Sequence, residues 1–68
     1  MVKIPIVVIK NQLKVESTIQ VLESSFPGVR FAKETSPTSC GWEIYTVGHY
    51  STVEIEEMRY IGQKESFS

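Results

Sequence analysis

Aspartate does not occur anywhere in this chain, although glutamate occurs eight times. Its absence removes the usual calcium-binding loop and the carboxylate most often used to orient a catalytic histidine. Cysteine and histidine occur once each, as Cys40 and His49. An internal disulfide is therefore impossible, and a structural zinc site lacks its ligands. There is no charge excess either. Seven lysines and arginines against eight acidic residues give a formal net charge of −1, which excludes the broad basic surface of a duplex-binding domain. No apolar run approaches the length of a membrane span, and the opening M-V-K-I-P-I-V-V-I-K is too short for a secretory signal. A lone cysteine with no such signal points to the cytoplasm.

With 68 residues the chain is one domain, and a domain of this size hides only about 60 % of the surface its unfolded form exposes. Small proteins make up that shortfall with disulfides, a metal or a partner subunit. The first two are excluded here, so a partner subunit is expected. The charges are unevenly spread. Residues 1–33 hold five cations against two glutamates, a balance of +3, and residues 34–68 hold two cations against six glutamates, a balance of −4. Such asymmetry either serves association through opposite patches or reflects a small sample.

The segment Val15 to Phe26 is the most regular part of the chain. Val15, Ile19, Leu22 and Phe26 recur at steps of four, three and four, which places them on one face of an α-helix. Asn11 is the expected cap, since its side chain can accept from a first-turn amide. A start at Ser17, with Gln20 in capping-box spacing, would discard Val15 from the apolar stripe. Pro27-Gly28 ends the helix.

Before the helix, Val2 to Ile9 is β-branched and almost continuously apolar, as in a strand covered on both faces. Pro5 has no amide to donate, which places the first half of that strand at a sheet edge or leaves it projecting from the sheet. After the helix, Val29 to Thr35 alternates, with Val29 and Phe31 on one side and Arg30 and Ala32 on the other. The three segments have the length of a β-α-β crossover, right-handed if its strands are parallel. Ser36 to Gly41 is a loop of turn-forming residues. Trp42 to His49 then reads as a third strand, antiparallel to the second, with Trp42 and Ile44 facing one way and Tyr45 and Val47 the other.

The C-terminal segment has two readings. Ser51 and Glu54 have capping-box spacing, Glu54, Glu56 and Glu57 suit the positive end of a helix dipole, and Ile55, Met58 and Ile61 or Gly62 form a stripe. These features predict a short helix. The alternative is a fourth strand through T-V-E-I-E. The expected fold is thus a small α+β domain over residues 1–62, a β-α-β-β sheet with one packed helix and a short C-terminal helix, followed by a polar tail over 63–68.

No catalytic residue and no cofactor is indicated. Cys40 and His49 flank the third strand, roughly 30 Å apart if it is extended, so a thiol-dependent enzyme is a remote alternative. The loop T-S-P-T-S-C-G offers hydroxyls, and at Gly41 a backbone that admits close approach, but lacks the pattern of a phosphate loop. The chain does carry apolar residues on both sides of its strands. Val7, Ile9, Tyr45 and Val47 alternate onto a face with no evident internal cover, and monomers seldom expose such a patch. That face predicts an interface, most simply with a second copy. The expected function is a small non-catalytic binding protein of the inhibitor, adaptor or regulator type, which self-associates and acts by occupying a protein partner. The alternative is a homo-oligomer binding an anionic nucleotide or single-stranded nucleic acid through Arg30, Lys33, Trp42 and Tyr45, using aromatic faces beside cations.

Overall fold

A computed structural model describes residues 2–36 and 40–67. The chain forms strand β1 (Lys3–Ile9), helix α1 (Gln12–Ser25), strands β2 (Phe31–Thr35) and β3 (Trp42–Val47), and helix α2 (Thr52–Phe67). Helix α1 begins where the sequence places its cap, with the Asn11 side chain accepting from the Leu13 amide at 3.0 Å. At its far end the Phe26 amide donates to the Leu22 carbonyl and the Val29 amide to the Phe26 carbonyl, at 2.9 and 3.1 Å. The second bond closes a reverse turn with Pro27 second and Gly28, at φ +89°, third. This is the arrangement of a type II turn, whose third residue needs positive φ.

The C-terminal segment is a helix, and the fourth-strand alternative is excluded. Its capping box is complete: the Glu54 amide donates to Ser51 Oγ at 3.2 Å, and the Ser51 amide donates to Glu54 Oε1 at 3.1 Å. The helix continues to Phe67, so most of the segment read as a polar tail belongs to α2.

The sheet order is β1-β3-β2, with both pairings antiparallel. β1 and β2 are therefore parallel to each other but do not touch, because the last strand inserts between them. The β-α-β unit is split. Pro5 lies in an edge strand, as its missing amide requires.

Both helices pack on one face of the sheet. Ile4, Ile6 and Ile9 of β1, Val15 and Leu22 of α1, Phe31 of β2, Ile44 of β3 and Met58 of α2 form the buried core. Ile19, Phe26, Ile55 and Ile61 pack against it, so the apolar stripes of both helices face inward as their spacing predicts. Two threonines complete this layer. Thr18 donates to the Lys14 carbonyl at 2.6 Å and Thr46 to the Arg30 carbonyl at 2.8 Å, so their hydroxyls are buried with partners at little cost.

β1 carries one residue more than β3 opposes. Pro5 faces Tyr45 and Val7 faces Ile44, leaving Ile6 as the extra residue of a β-bulge. A bulge breaks the period of two. Ile4 and Ile6 point into the core, and beyond the bulge Val7 and Ile9 also lie on the helix side. The near-continuous apolar run of this strand thus feeds one face.

Candidate functional site

The face of the sheet away from the helices is largely open, bordered at one end by Gln63 and Ser66 of α2, which line a groove with Pro5, Val8 and Glu43. The register sorts its side chains into three rows that run across the strands. Lys3 and Val47 are paired at one end, Pro5, Tyr45 and Ala32 form the middle, and Val8, Glu43 and Glu34 form the other end. Arg30 directly precedes β2 and adjoins the first row. It lines a surface groove with Ala32, Tyr45 and Val47. The bulge at Ile6 is what returns Val8 to this face in step with Glu43.

The middle row is apolar in its residues but is overhung by the Lys3 ammonium, and the two ends carry Arg30 and the pair Glu34 and Glu43. Val8 and Val47 are 44 % and 40 % exposed, high for aliphatic residues in a sheet. The Lys3 ammonium leans over the Tyr45 ring, 4.6 Å from its centroid, within cation–π range. It forms an ion pair with Glu34 and lies 3.5 Å from Glu43. Two carboxylates thus share one cation. Arg30 makes no ion pair among the described residues.

Of the four residues expected on an uncovered face, Tyr45 and Val47 lie there. Val7 and Ile9 do not. Ile9 is 3 % exposed and Val7 packs against the core under α2, because the bulge shifts both by one step onto the helix side. Their places are taken by Pro5 and Val8. The expected ligand set is also divided. Arg30 and Tyr45 share the groove, but Lys33 lies opposite Ile44 and pairs with Glu16 of α1, while Trp42 packs against the core. With its four members on two sides of the sheet, this set does not form one stacking surface for a nucleotide.

Cys40 and His49 lie beyond opposite ends of β3, and both are exposed. No group of three or more histidine, cysteine or acidic residues among the described residues is placed to hold a metal, and no helix among them is long and apolar enough to cross a membrane. Within the hydroxyl-rich loop, positions 37–39 lie outside the described residues. The close approach allowed by Gly41 is used internally: a Cβ there would stand 2.8 Å from the Ile9 carbonyl oxygen, so its bare backbone serves the β1 contact.

Lys3, Pro5, Val8, Ala32, Glu34 and Glu43 are the members of the open face that period-two reading did not assemble. A break of parity within β1 is the signal for them. Ile4 and Ile6 share one parity and Ile9 the other, yet all three are large β-branched residues that suit a core.

A second exposed apolar strip lies on α2. Val53 and Tyr60, 65 % and 67 % exposed, line a surface depression with Glu56, Glu57 and Ile61. The chain matches no protein-family model, no curated protein and no solved structure.

Proposed function

We propose that this chain is a small non-catalytic binding protein that self-associates through the open face of its sheet and acts by occupying a protein partner. The observation that carries this reading is the position of both helices on one side of the sheet, which leaves Pro5, Val8, Ala32 and Val47 exposed on the other, around a Tyr45 overhung only by the Lys3 ammonium. A three-stranded sheet whose second side is open and partly apolar gains by burying that side against another surface. The strip Val53–Tyr60 with Glu56 and Glu57 on α2 remains for a partner that offers an apolar side chain beside a cation. A cytoplasmic setting fits the free, exposed Cys40.

Size-exclusion chromatography coupled to light scattering tests the self-association. The expected result is a mass that rises with concentration from 7.7 kDa toward twice that value, and a Tyr45→Asp variant that stays at the monomer mass. A wild-type chain that remains monomeric up to millimolar concentration removes the reading.

A further inference from the structure

The open face carries its own electrostatic complement, and this names its occupant. One end holds Arg30 and the backbone of Lys3 on either side of Val47; the Lys3 ammonium reaches from there over Tyr45 toward Glu34 and Glu43, so Arg30 is the cation that stays at that end. The other end is formed by Glu43 and Glu34 beside Val8, two carboxylates that share the one Lys3 ammonium and so keep a net negative charge, and the row Pro5, Tyr45 and Ala32 lies between the two ends. Resting on the self-association read above, we propose that the face docks on a second copy of this chain. The copies are related by a two-fold axis that lies in the interface and runs across the strands along the middle row.

Rotation about that axis reverses the strand direction and lays each strand over its own copy. The Arg30 end of one protomer then covers the acidic end of the other, twice over, as an isologous interface requires. Arg30 comes over Glu34 of the partner subunit, and the Lys3 backbone comes beside Val8 and Glu43 of the partner subunit. Tyr45 sits on the axis with the Lys3 ammonium 4.6 Å from its ring centroid, so the two copies meet at the centre through Tyr45 and Lys3 together, in the central aromatic position that interfaces favour. No other orientation of two such faces matches both ends. Rotation about an axis along the strands sets like charge on like charge, which disfavours that arrangement.

The single-chain arrangement has a matching imbalance. Lys3 serves both Glu34 and Glu43 within its own chain, so the acidic end keeps a surplus negative charge. Arg30 makes no ion pair among the described residues at the opposite end. Assembly brings the surplus of one copy to the unpaired cation of the other. From strand spacing and rise the sheet face measures roughly 14 by 17 Å, small for a stable interface, so the dimer forms in the micromolar range or weaker.

Charge reversal on the full-length chain tests the arrangement by sedimentation equilibrium, with circular dichroism to confirm folding. Lys3→Glu with Arg30→Glu makes the face uniformly acidic, and Glu34→Lys with Glu43→Lys makes it uniformly basic. Each double variant alone is expected to remain monomeric where the wild type dimerises, and an equimolar mixture of the two regains the dimer mass. The quadruple variant reverses both ends and restores the homodimer. For the unaltered protein, the dissociation constant rises about tenfold between ~0.05 and ~0.5 M salt as screening takes hold. Double variants that dimerise like the wild type, a mixture that stays monomeric, or a dissociation constant indifferent to salt each overturn the proposed arrangement while leaving self-association standing. A monomeric wild type removes both.

Discussion

The guanidinium of Arg59 in α2 donates through Nε and Nη2 to the Pro5 carbonyl oxygen in β1, at 3.3 and 3.2 Å. The two residues guard the same stretch of an edge strand. Pro5 presents no amide for a new strand to accept from, and Arg59 occupies the carbonyl that a new strand would donate to. Edge strands left open invite pairing with other chains, and here one side chain and one imino acid close β1 from opposite directions.

Removing the arginine therefore has two effects. Arg59→Met is expected to lower stability by about 1 kcal/mol through the lost charge-assisted bonds, measured by urea denaturation. It also frees the Pro5 carbonyl, so thioflavin-positive aggregation on prolonged incubation should begin sooner than in the wild type. Arg59→Lys keeps a single donor and is expected to fall between the two.

Gly62 is buried where α2 crosses β1. A Cβ at this position would lie 3.1 Å from Val7 Cγ1 and 3.5 Å from Ile6 Cγ2. A larger side chain would push the helix off the strand, so Gly62→Leu is expected to cost about 1–3 kcal/mol. Gly62→Ala sets improved helix propensity, about 1 kcal/mol, against that tight contact. With Val7→Ala in the background the contact is relieved. A double-mutant cycle should therefore show Gly62→Ala as more favourable in the Val7→Ala protein than in the wild type, and a coupling of zero would mean that the two positions do not touch.

Both helices start on side-chain caps, and each cap can be removed by itself. Asn11→Ala deprives the Leu13 amide of its acceptor and Ser51→Ala deprives the Glu54 amide of its own. Each substitution is expected to cost about 1 kcal/mol, measured by thermal or chemical unfolding. The caps share no partner, so the double variant should lose the sum of the two.

Cys40 is exposed and unbridged. Cys40→Ser is expected to change stability by less than about 0.5 kcal/mol and to leave the mass distribution in solution as it is. The native thiol should react with Ellman's reagent at the rate of an unfolded control. A large loss of stability would show that the sulfur is packed.

Element identity was legible wherever one local rule acted alone. The stripe Val15, Ile19, Leu22 and Phe26, the cap at Asn11, the turn at Pro27-Gly28 and the box Ser51–Glu54 are each set by residues within a turn or two of one another, and each appears where its spacing places it. The edge position of β1 was legible from Pro5. The site was legible only in part. Tyr45 and Val47 follow the alternation of β3, which is regular. Val7 and Ile9 do not follow that of β1, because the extra residue at Ile6 is decided by pairing with a strand that lies 30 or more positions further along the chain. Lys33 and Trp42 were grouped with Arg30 and Tyr45 by composition, whereas the pleat assigns them to the other side of the sheet. The length of α2 was hidden by the polar character of Gln63 to Ser66, residues that form good solvent-facing helix once the preceding turns are anchored through Met58 and Gly62.

Strand order also constrains how the molecule comes together. Neither outer strand has a hydrogen-bonding neighbour until Trp42–Val47 is in place; β2 and β3 can then close as a local hairpin across residues 36–41, whereas β1 has to find its partner more than 30 positions along the chain. During synthesis the first 41 residues can build only α1 and a loose collapse around it, and ladder formation waits for the middle strand. Folding of this short chain should therefore show a single concerted step, slower than its length would indicate, with the central strand's side chains ordered already at the barrier.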